Sequence, residues 1–506
     1  MPWEQEVDGS NPSAPTIPIV CYNVIMKRII LSVLVLCVLT VGLLPAQAAT
    51  IPIYIQGKQV KPDTPPIMQN DRTFVPIRYI AESFGAKVNW NEQIQQVTID
   101  SGNTHIVLRI GDTNISRNGN NMQLDVAPFI RNDRTYVPLR FVSEALGHYV
   151  DWDATEQAVY IDTDAVYRKQ TITVGSKKIT ANVVKVFVGN PHVDLTMAYG
   201  QNKIGLTESL ASMAKRNNAI AAINGTFFRA YETTNPKEPS GNLIIDGRIE
   251  HLCFRDKPAT TFGFTWDNKV DIGSISMMLS GKYLQVQNPE YAWLRSWYVG
   301  TINRSMTYWN NNSINIYTPK RGPTTRAGVA GTNVIVQDSK IVGVVEGSNF
   351  TIPKDGYVVW IGGSEKRYLD RFTVGDKITY EDLYFVQQGN ADIWKQGVIE
   401  GGLSAGPRLV TNGVITANPE AENYTIPKIT QYSTPRSAIG ITKDGKLLLV
   451  TVPSATIKEL AVVMQKLGAY NAMNVDGGAS SGLYYKGQMV TTPGRELSNA
   501  LIVKRR

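Results

Sequence analysis

Thr456-Ile457-Lys458-Glu459-Leu460-Ala461-Val462-Val463-Met464-Gln465-Lys466-Leu467-Gly468, then Ala472-Met473-Asn474-Val475 and Asp476-Gly477-Gly478-Ala479-Ser480-Ser481, form the most informative stretch of the chain. Thr456 with Glu459 three residues on is a capping box, so a helix opens there. Gly468 closes it, because glycine takes the left-handed conformation that ends a helix at little cost. The apolar run that follows reads as a buried strand. It delivers Asp476 to a loop whose glycines let backbone N–H groups approach a ligand with no Cβ in the way. The same order occurs upstream: a helix over 206–216, an apolar strand over 219–223, then Asn224-Gly225-Thr226-Phe227-Phe228. Two helix–strand–loop units thus end in a small polar residue followed by glycine. Asn-Gly and Asp-Gly are also common hairpin signals, so either loop alone reads equally well as a tight turn.

A repeat divides the chain. Asn70-Asp71-Arg72-Thr73-Phe74-Val75-Pro76-Ile77-Arg78 returns as Asn132-Asp133-Arg134-Thr135-Tyr136-Val137-Pro138-Leu139-Arg140. The match runs without a gap through Glu82/Glu144, Gly85/Gly147, Trp90/Trp152 and Asp100/Asp162. One supersecondary unit is used twice. Each copy reads as a polar turn, a short strand ending at proline, a helical turn or two closed by glycine, and two strands around the tryptophan. The copies are expected to pack as one small α+β domain over 49–163. These repeats resemble the copper amine oxidase N-terminal-like domain. The resemblance does not extend to copper oxidation, whose core needs three histidine ligands and a tyrosine that matures into a quinone. His105, His148, His192 and His251 are each isolated, and the nearest tyrosine context is Asn423-Tyr424-Thr425. Arg72, Arg134, Trp90 and Trp152 read as turn and core residues by their spacing; the sharper reading is a grip on wall sugars and phosphates.

Composition bounds the rest. The 506 residues are 43% hydrophobic, with Gly and Pro near average usage, which excludes wholesale disorder, collagen and low complexity. The formal charge of +8 contains no long basic run, so nothing marks a nucleic-acid tract. Met26-Lys27-Arg28 precedes an apolar run to Leu44 and then Pro45-Ala46-Gln47-Ala48, the layout of a secretory signal peptide over 26–48. Residues 1–25 then read as an over-extended start. No stable membrane span is expected after cleavage, because the apolar run is short. Of three cysteines only Cys253 would remain, and an internal disulfide is excluded.

Further motifs stand in order along 164–506, which reads as a strand-rich, mixed-sheet α+β domain with few helices. They are Ser240-Gly241-Asn242, Gly401-Gly402-Leu403-Ser404-Ala405-Gly406-Pro407-Arg408, Pro435-Arg436-Ser437, and Arg495-Glu496-Leu497-Ser498-Asn499-Ala500. With the two glycine loops, this ordered set resembles the phosphodiester glycosidases, the N-acetylglucosamine-1-phosphodiester α-N-acetylglucosaminidase-like family, over roughly 170–506. Three positions depart from that pattern. Thr226 stands where a second glycine often follows Asn-Gly, Ala479 replaces a glycine, and Leu403-Ser404-Ala405 lengthens a turn. A tighter pocket is expected to follow.

The resemblance implies hydrolysis of the bond between a sugar's anomeric carbon and a phosphate oxygen, on an N-acetylglucosamine-like sugar-1-phosphodiester of an envelope or extracellular glycan. Phosphate has a second pKa of about 6 and leaves largely unprotonated if its charge is met, so one carboxylate with cationic and N–H donors suffices. Asp476 is the expected nucleophile or general base, Arg436 the phosphate clamp and Asn224 a third catalytic group. Gly225, Gly477, Gly478, Ser480, Ser481, Arg408 and Asn499 are the expected substrate-binding residues. Glu250, Glu400 and Asp246 are reserve carboxylates. No histidine motif accompanies Ser480 and Ser481, so a serine triad is not expected. No cofactor is identified, while oxygen-rich loops leave room for a divalent cation. The alternative reading is a non-catalytic surface protein that binds phosphorylated glycans, with a cell-wall polymer held through the repeats.

Overall fold

The computed structural model describes residues 51–233, 236–253, 258–308 and 311–506. The expected start segment 1–25 and signal peptide 26–48 lie outside the described residues. Residues 51–506 form one compact unit.

Both repeat copies fold alike because the same letters meet the same constraints. Asn70 and Asp71 both have positive φ, as do Asn132 and Asp133, the two-residue hairpin conformation that Asn and Asp tolerate. The strands Arg72–Pro76 and Arg134–Pro138 follow, each running into a short helix, Ile77–Ser83 or Leu139–Ala145. Gly85 and Gly147 close those helices with φ of 77° and 89°. The two proline-ended strands pair with each other antiparallel, Val75 opposite Val137, and both copies share one core that includes Ile80, Ile99, Val142 and Ile161. Ion pairs cross between the copies: Arg72 to Asp125 at 2.6 Å and Arg134 to Asp63 at 3.1 Å. Both are exposed, so each contributes at most about 1 kcal/mol.

The larger part is strand-rich with few helices. A seven-stranded sheet and a five-stranded sheet lie face to face, and a helix covers the outer face of each. Period-two alternation does the sorting. Ile223 and Ala221 of the strand Ala219–Asn224 enter the core between the sheets, while Ala222 faces the helix Leu210–Arg216. Leu447 and Leu449 likewise point between the sheets, and Leu448 and Val450 meet the helix Ile457–Lys466. Strands buried on both faces read as continuous apolar runs, which is how they appear in the sequence. A third sheet, of twelve strands among the described residues, closes the same core with Phe262, Phe264 and Leu403. It then runs outward around a separate core that includes Met277, Trp297, Val334 and Val359.

The capping box is present: Thr456 N–H donates to Glu459 Oε2 at 2.8 Å and Glu459 N–H to Thr456 Oγ1 at 3.2 Å. The upstream helix begins later than expected, at Leu210, because Ser209 Oγ accepts from Ser212 N–H and Glu208 pairs its backbone with Leu497. Leu403-Ser404-Ala405 does not lengthen a turn. Leu403 and Ser404 finish the strand Ile399–Ser404 opposite Phe262 and Thr261, and Ala405 N–H donates to Thr260 O.

Candidate functional site

The strands Ala219–Asn224 and Ala469–Asn474 belong to different sheets, and their ends meet. Asp476 N–H donates to Gly225 O at 3.0 Å, and Asn224 Nδ2 donates to Asp476 O at 2.6 Å. Asn224 Oδ1 accepts from Gly482 N–H at 3.0 Å, so this buried amide ties the Asp476 loop on both sides. Gly225 N–H donates to Asn499 O. A Cβ on Gly225 would stand 1.9 Å from Asn499 Oδ1, which explains the glycine. Asn499 Oδ1 accepts from Thr226 N–H at 2.9 Å and its Nδ2 donates to Ser498 Oγ. The Asn224, Asp476 and Asn499 segments, with Gly225, Gly477, Gly478, Ser480 and Ser481, are therefore one cluster.

Thr226 does not tighten a pocket from inside it. It is buried, donates from Oγ1 to Ser404 O at 2.6 Å, and packs where a Cβ on Gly241 would collide with it.

Within the cluster the carboxyl of Asp476 is half-buried. Its Oδ1 accepts from Gly477 N–H at 2.9 Å, and the Ser480 hydroxyl also bonds to it. Burial pushes its pKa up to about 6, against the pull of Ser480, Gly477 N–H and the Arg495 guanidinium. Among the described residues it has no ion-pair partner. On the same strand and loop, Asn474 Oδ1 and Ser481 Oγ are buried without hydrogen-bond partners among the described residues, while Asn474 Nδ2 donates to Gly406 O. Buried polar groups of this kind cost stability unless something meets them, and they concentrate at functional sites.

The arginines divide by what they touch. Arg436 lies beside Gly477, but its Nε donates to Ala455 O, and its Nη2 donates to Lys428 O and Tyr432 O at 2.7 and 2.8 Å. Burial lowers its pKa to about 10. A guanidinium so committed to carbonyls holds the segment 428–432 in place. Arg408 is buried with Nη2 unpartnered among the described residues, and its backbone N–H donates to Glu422 Oε1. Arg495 stands differently. It is half-buried, its guanidinium stacks on the exposed Tyr231 ring at 4.8 Å, and Nη2 donates to Tyr231 Oη at 3.1 Å. It also draws down the pKa of both Asp476 and Tyr231. The motif that contains Arg495 was legible in the sequence; its role was not, because no spacing rule brings residue 495 to 476. Tyr231 carried no signal at all.

The reserve carboxylates lie elsewhere. Glu250 is fully buried, accepts from Thr318 Oγ1 and Asn303 Nδ2, and has its pKa raised to about 7 by burial. Glu400 is also raised to about 7, by burial and then by Asp194 and Asp246. Asp246 is exposed and paired with Lys320. None of the three shares a hydrogen bond with the Asp476 loop among the described residues. His251 Nδ1 meets Gly241 O at 3.0 Å, and burial lowers its pKa to about 3, so the ring is neutral. Among the described residues no group of three His, Cys, Asp or Glu is arranged to hold a metal ion.

Comparison with known proteins follows this division. Residues 54–161 match the copper amine oxidase N-terminal domain model, and residues 330–504 match the phosphodiester glycosidase model. A Brevibacillus choshinensis protein named a protease inhibitor is 32% identical over 108 residues, which take in 21% of this chain. The match spans 32% of that relative's length. Among solved structures, a hypothetical protein from Synechocystis overlays with a TM-score of 0.56 at 16% identity, covering 90% of this chain and 99% of its own. A Burkholderia pseudomallei protein overlays at 0.53 and 21%, covering 65% and 74%. The catalytic domain of zebrafish N-acetylglucosamine-1-phosphodiester α-N-acetylglucosaminidase, auto-inhibited by its pro-peptide, overlays at only 0.36 and 15%, covering 68% and 83%. At such identities the first two show the fold alone, and the third is too loose to carry an argument. Residues 330–504 are thus similar to the phosphodiester glycosidases, which suggests hydrolase chemistry. Asn224 and Gly225 precede the matched span yet sit against Asp476 inside it.

Proposed function

We propose that the protein is an exported phosphodiester glycosidase that hydrolyses the anomeric carbon–phosphate oxygen bond of a sugar-1-phosphodiester, an N-acetylglucosamine-like unit on an envelope or extracellular glycan. The observation that carries this reading is the Asp476 carboxyl. Strand ends of two sheets bring it to one place, glycines 477 and 478 leave room beside it, and among the described residues it has no ion-pair partner. Above pH about 6 it is ionised and serves as the base or nucleophile at the anomeric carbon. Arg495, held at Tyr231 through Nη2 and the ring face, is the cation that meets the departing phosphate with its remaining N–H donors. Arg436 acts through position, by fixing the 428–432 segment beside Gly477. Asn224 and Asn499 hold the loops in register, and Ser481 and Asn474 supply unpartnered groups for hydroxyl recognition.

The test uses p-nitrophenyl-phosphoryl N-acetylglucosamine in ¹⁸O-water. Free sugar carrying the label, with p-nitrophenyl phosphate as co-product, is expected. Free p-nitrophenol with sugar phosphate would mean cleavage on the other side of phosphorus and would sink the assignment. Export is checked by sequencing the N-terminus of protein recovered outside the cell, expected at Ala49.

A further inference from the structure

At the outer part of the twelve-stranded sheet lies a cavity of about 410 Å³, between the strand Ser296–Tyr298, the strand Ile314–Tyr317 and the short helical segment Gly363–Arg371. Its volume falls within the range of about 300–1,000 Å³ typical of small-molecule sites. No residue lining it takes part in the hydrogen bonds around Asp476. The floor is aromatic and rigid. Trp297 lies against Gly281, where a Cβ would come within 1.9 Å of the indole, and meets Phe372 edge-on at 5.5 Å. Tyr283 is buried and donates from Oη to Arg371 O at 3.1 Å, which fixes the wall to the floor.

The wall carries charge. Arg371 stands 4.5 Å from the Tyr368 ring centroid and 6.0 Å from that of Trp293, and Arg367 stands 4.7 Å from Tyr368. Arg371 has no ion-pair partner among the described residues. Among the described residues Arg367 meets one acid, Glu365 at 3.5 Å, which also lines the cavity, and Asp370 is taken up by Tyr291 Oη. Trp293 and Tyr298 are exposed at 64% and 46%. Tyr298 lines the cavity itself, with Tyr368, Arg367 and Arg371, while Trp293 stands outside it against Arg371. Flat rings accept the apolar face of a sugar, and guanidinium groups held over rings keep their fork of donors for an anionic oxygen.

We infer that this cavity is a second, non-catalytic site for a phosphorylated saccharide unit, which holds a polymeric substrate while Asp476 works on another unit of the same chain. The inference rests on the phosphodiester reading of the Asp476 site, and its test is separable from that one. Binding of a poly(N-acetylglucosamine 1-phosphate) glycan to the full chain carrying Asp476→Asn, which turns the polymer over slowly, is measured by calorimetry beside an unphosphorylated N-acetylglucosamine oligomer, and repeated with Tyr298→Ala or Arg371→Ala added. The expected result is binding that weakens at least tenfold in both, while the same two substitutions in the unaltered protein leave hydrolysis of the small diester unchanged. Absence of binding, equal binding of the unphosphorylated oligomer, or retention within twofold in both variants overturns the inference. Tyr298 is 46% exposed, so its variant is expected to fold; unchanged thermal unfolding checks this.

Discussion

Two regions of this molecule bury acids in opposite ways. Where the second repeat meets the seven-stranded sheet, every acid has a cation. Lys185 pairs with Asp153 and, at 2.8 Å, with Glu156; Arg168 reaches Glu156 at 3.0 Å; Lys446 reaches Asp151 at 2.8 Å. Burial alone would raise the Glu156 pKa, but hydrogen bonds from Lys185 and Tyr160 and the charges of Lys185 and Arg168 hold it below its ordinary value. At the Asp476 loop no ion pair forms among the described residues, and burial outweighs the pull of Arg495. Matched charge fixes a docked geometry, whereas an unmatched carboxyl keeps a pKa near neutrality and a free face for chemistry. The first repeat supplies the control. Its equivalents of Asp151, Asp153 and Glu156 are Asn89, Asn91 and Ile94, and its turn is exposed.

The contrast breaks most visibly at Asp476. Asp476→Asn should lower kcat/KM for the chromogenic diester roughly a thousandfold, about 4 kcal/mol of transition-state stabilisation, with the fold intact by circular dichroism. Lys185→Met leaves two carboxylates buried beside it and should cost about 3 kcal/mol in urea unfolding; adding Asp153→Leu and Glu156→Gln should recover most of that loss. Arg495→Ala should reduce kcat/KM by about 10- to 100-fold, whereas Arg436→Lys should chiefly lower thermal stability, because its bonds go to backbone carbonyls.

The pH responses sharpen the comparison. The folded Asp476 pKa is raised, so the stability tied to its neutral form is present below about 4 and lost as pH rises through about 6. Asp476→Asn should therefore melt higher than the unaltered protein at pH 8, with the gap closing at pH 4. Activity moves the other way and should fall about tenfold per unit below pH about 6. Glu156 is depressed, so its contribution is present above its ordinary value of 4.5 and lost as pH falls below it. The smallest effect should come from Asn91→Asp in the exposed first-repeat turn, within about 0.5 kcal/mol.

Local rules in the sequence determined the capping box at Thr456, the glycine stops at 85, 147 and 468, the paired repeat, and the strand-rich α+β character. Each depends on residues a few positions apart, and steric preference at φ and ψ decides such matters before any tertiary contact forms. The sequence also marked Asp476 and Asn224, since glycine beside a small polar residue at a strand end is a local signature, and Asn499 through the ordered motif set it belongs to. Which guanidinium stands free was beyond it. Arg436 and Arg495 look alike as letters, and only packing turned one toward three carbonyl oxygens and left the other stacked on Tyr231. Tertiary structure alone likewise matched the acids of the second repeat to Lys185 and Lys446, because charge pairing is set by distance in space and desolvation by neighbours remote in the chain.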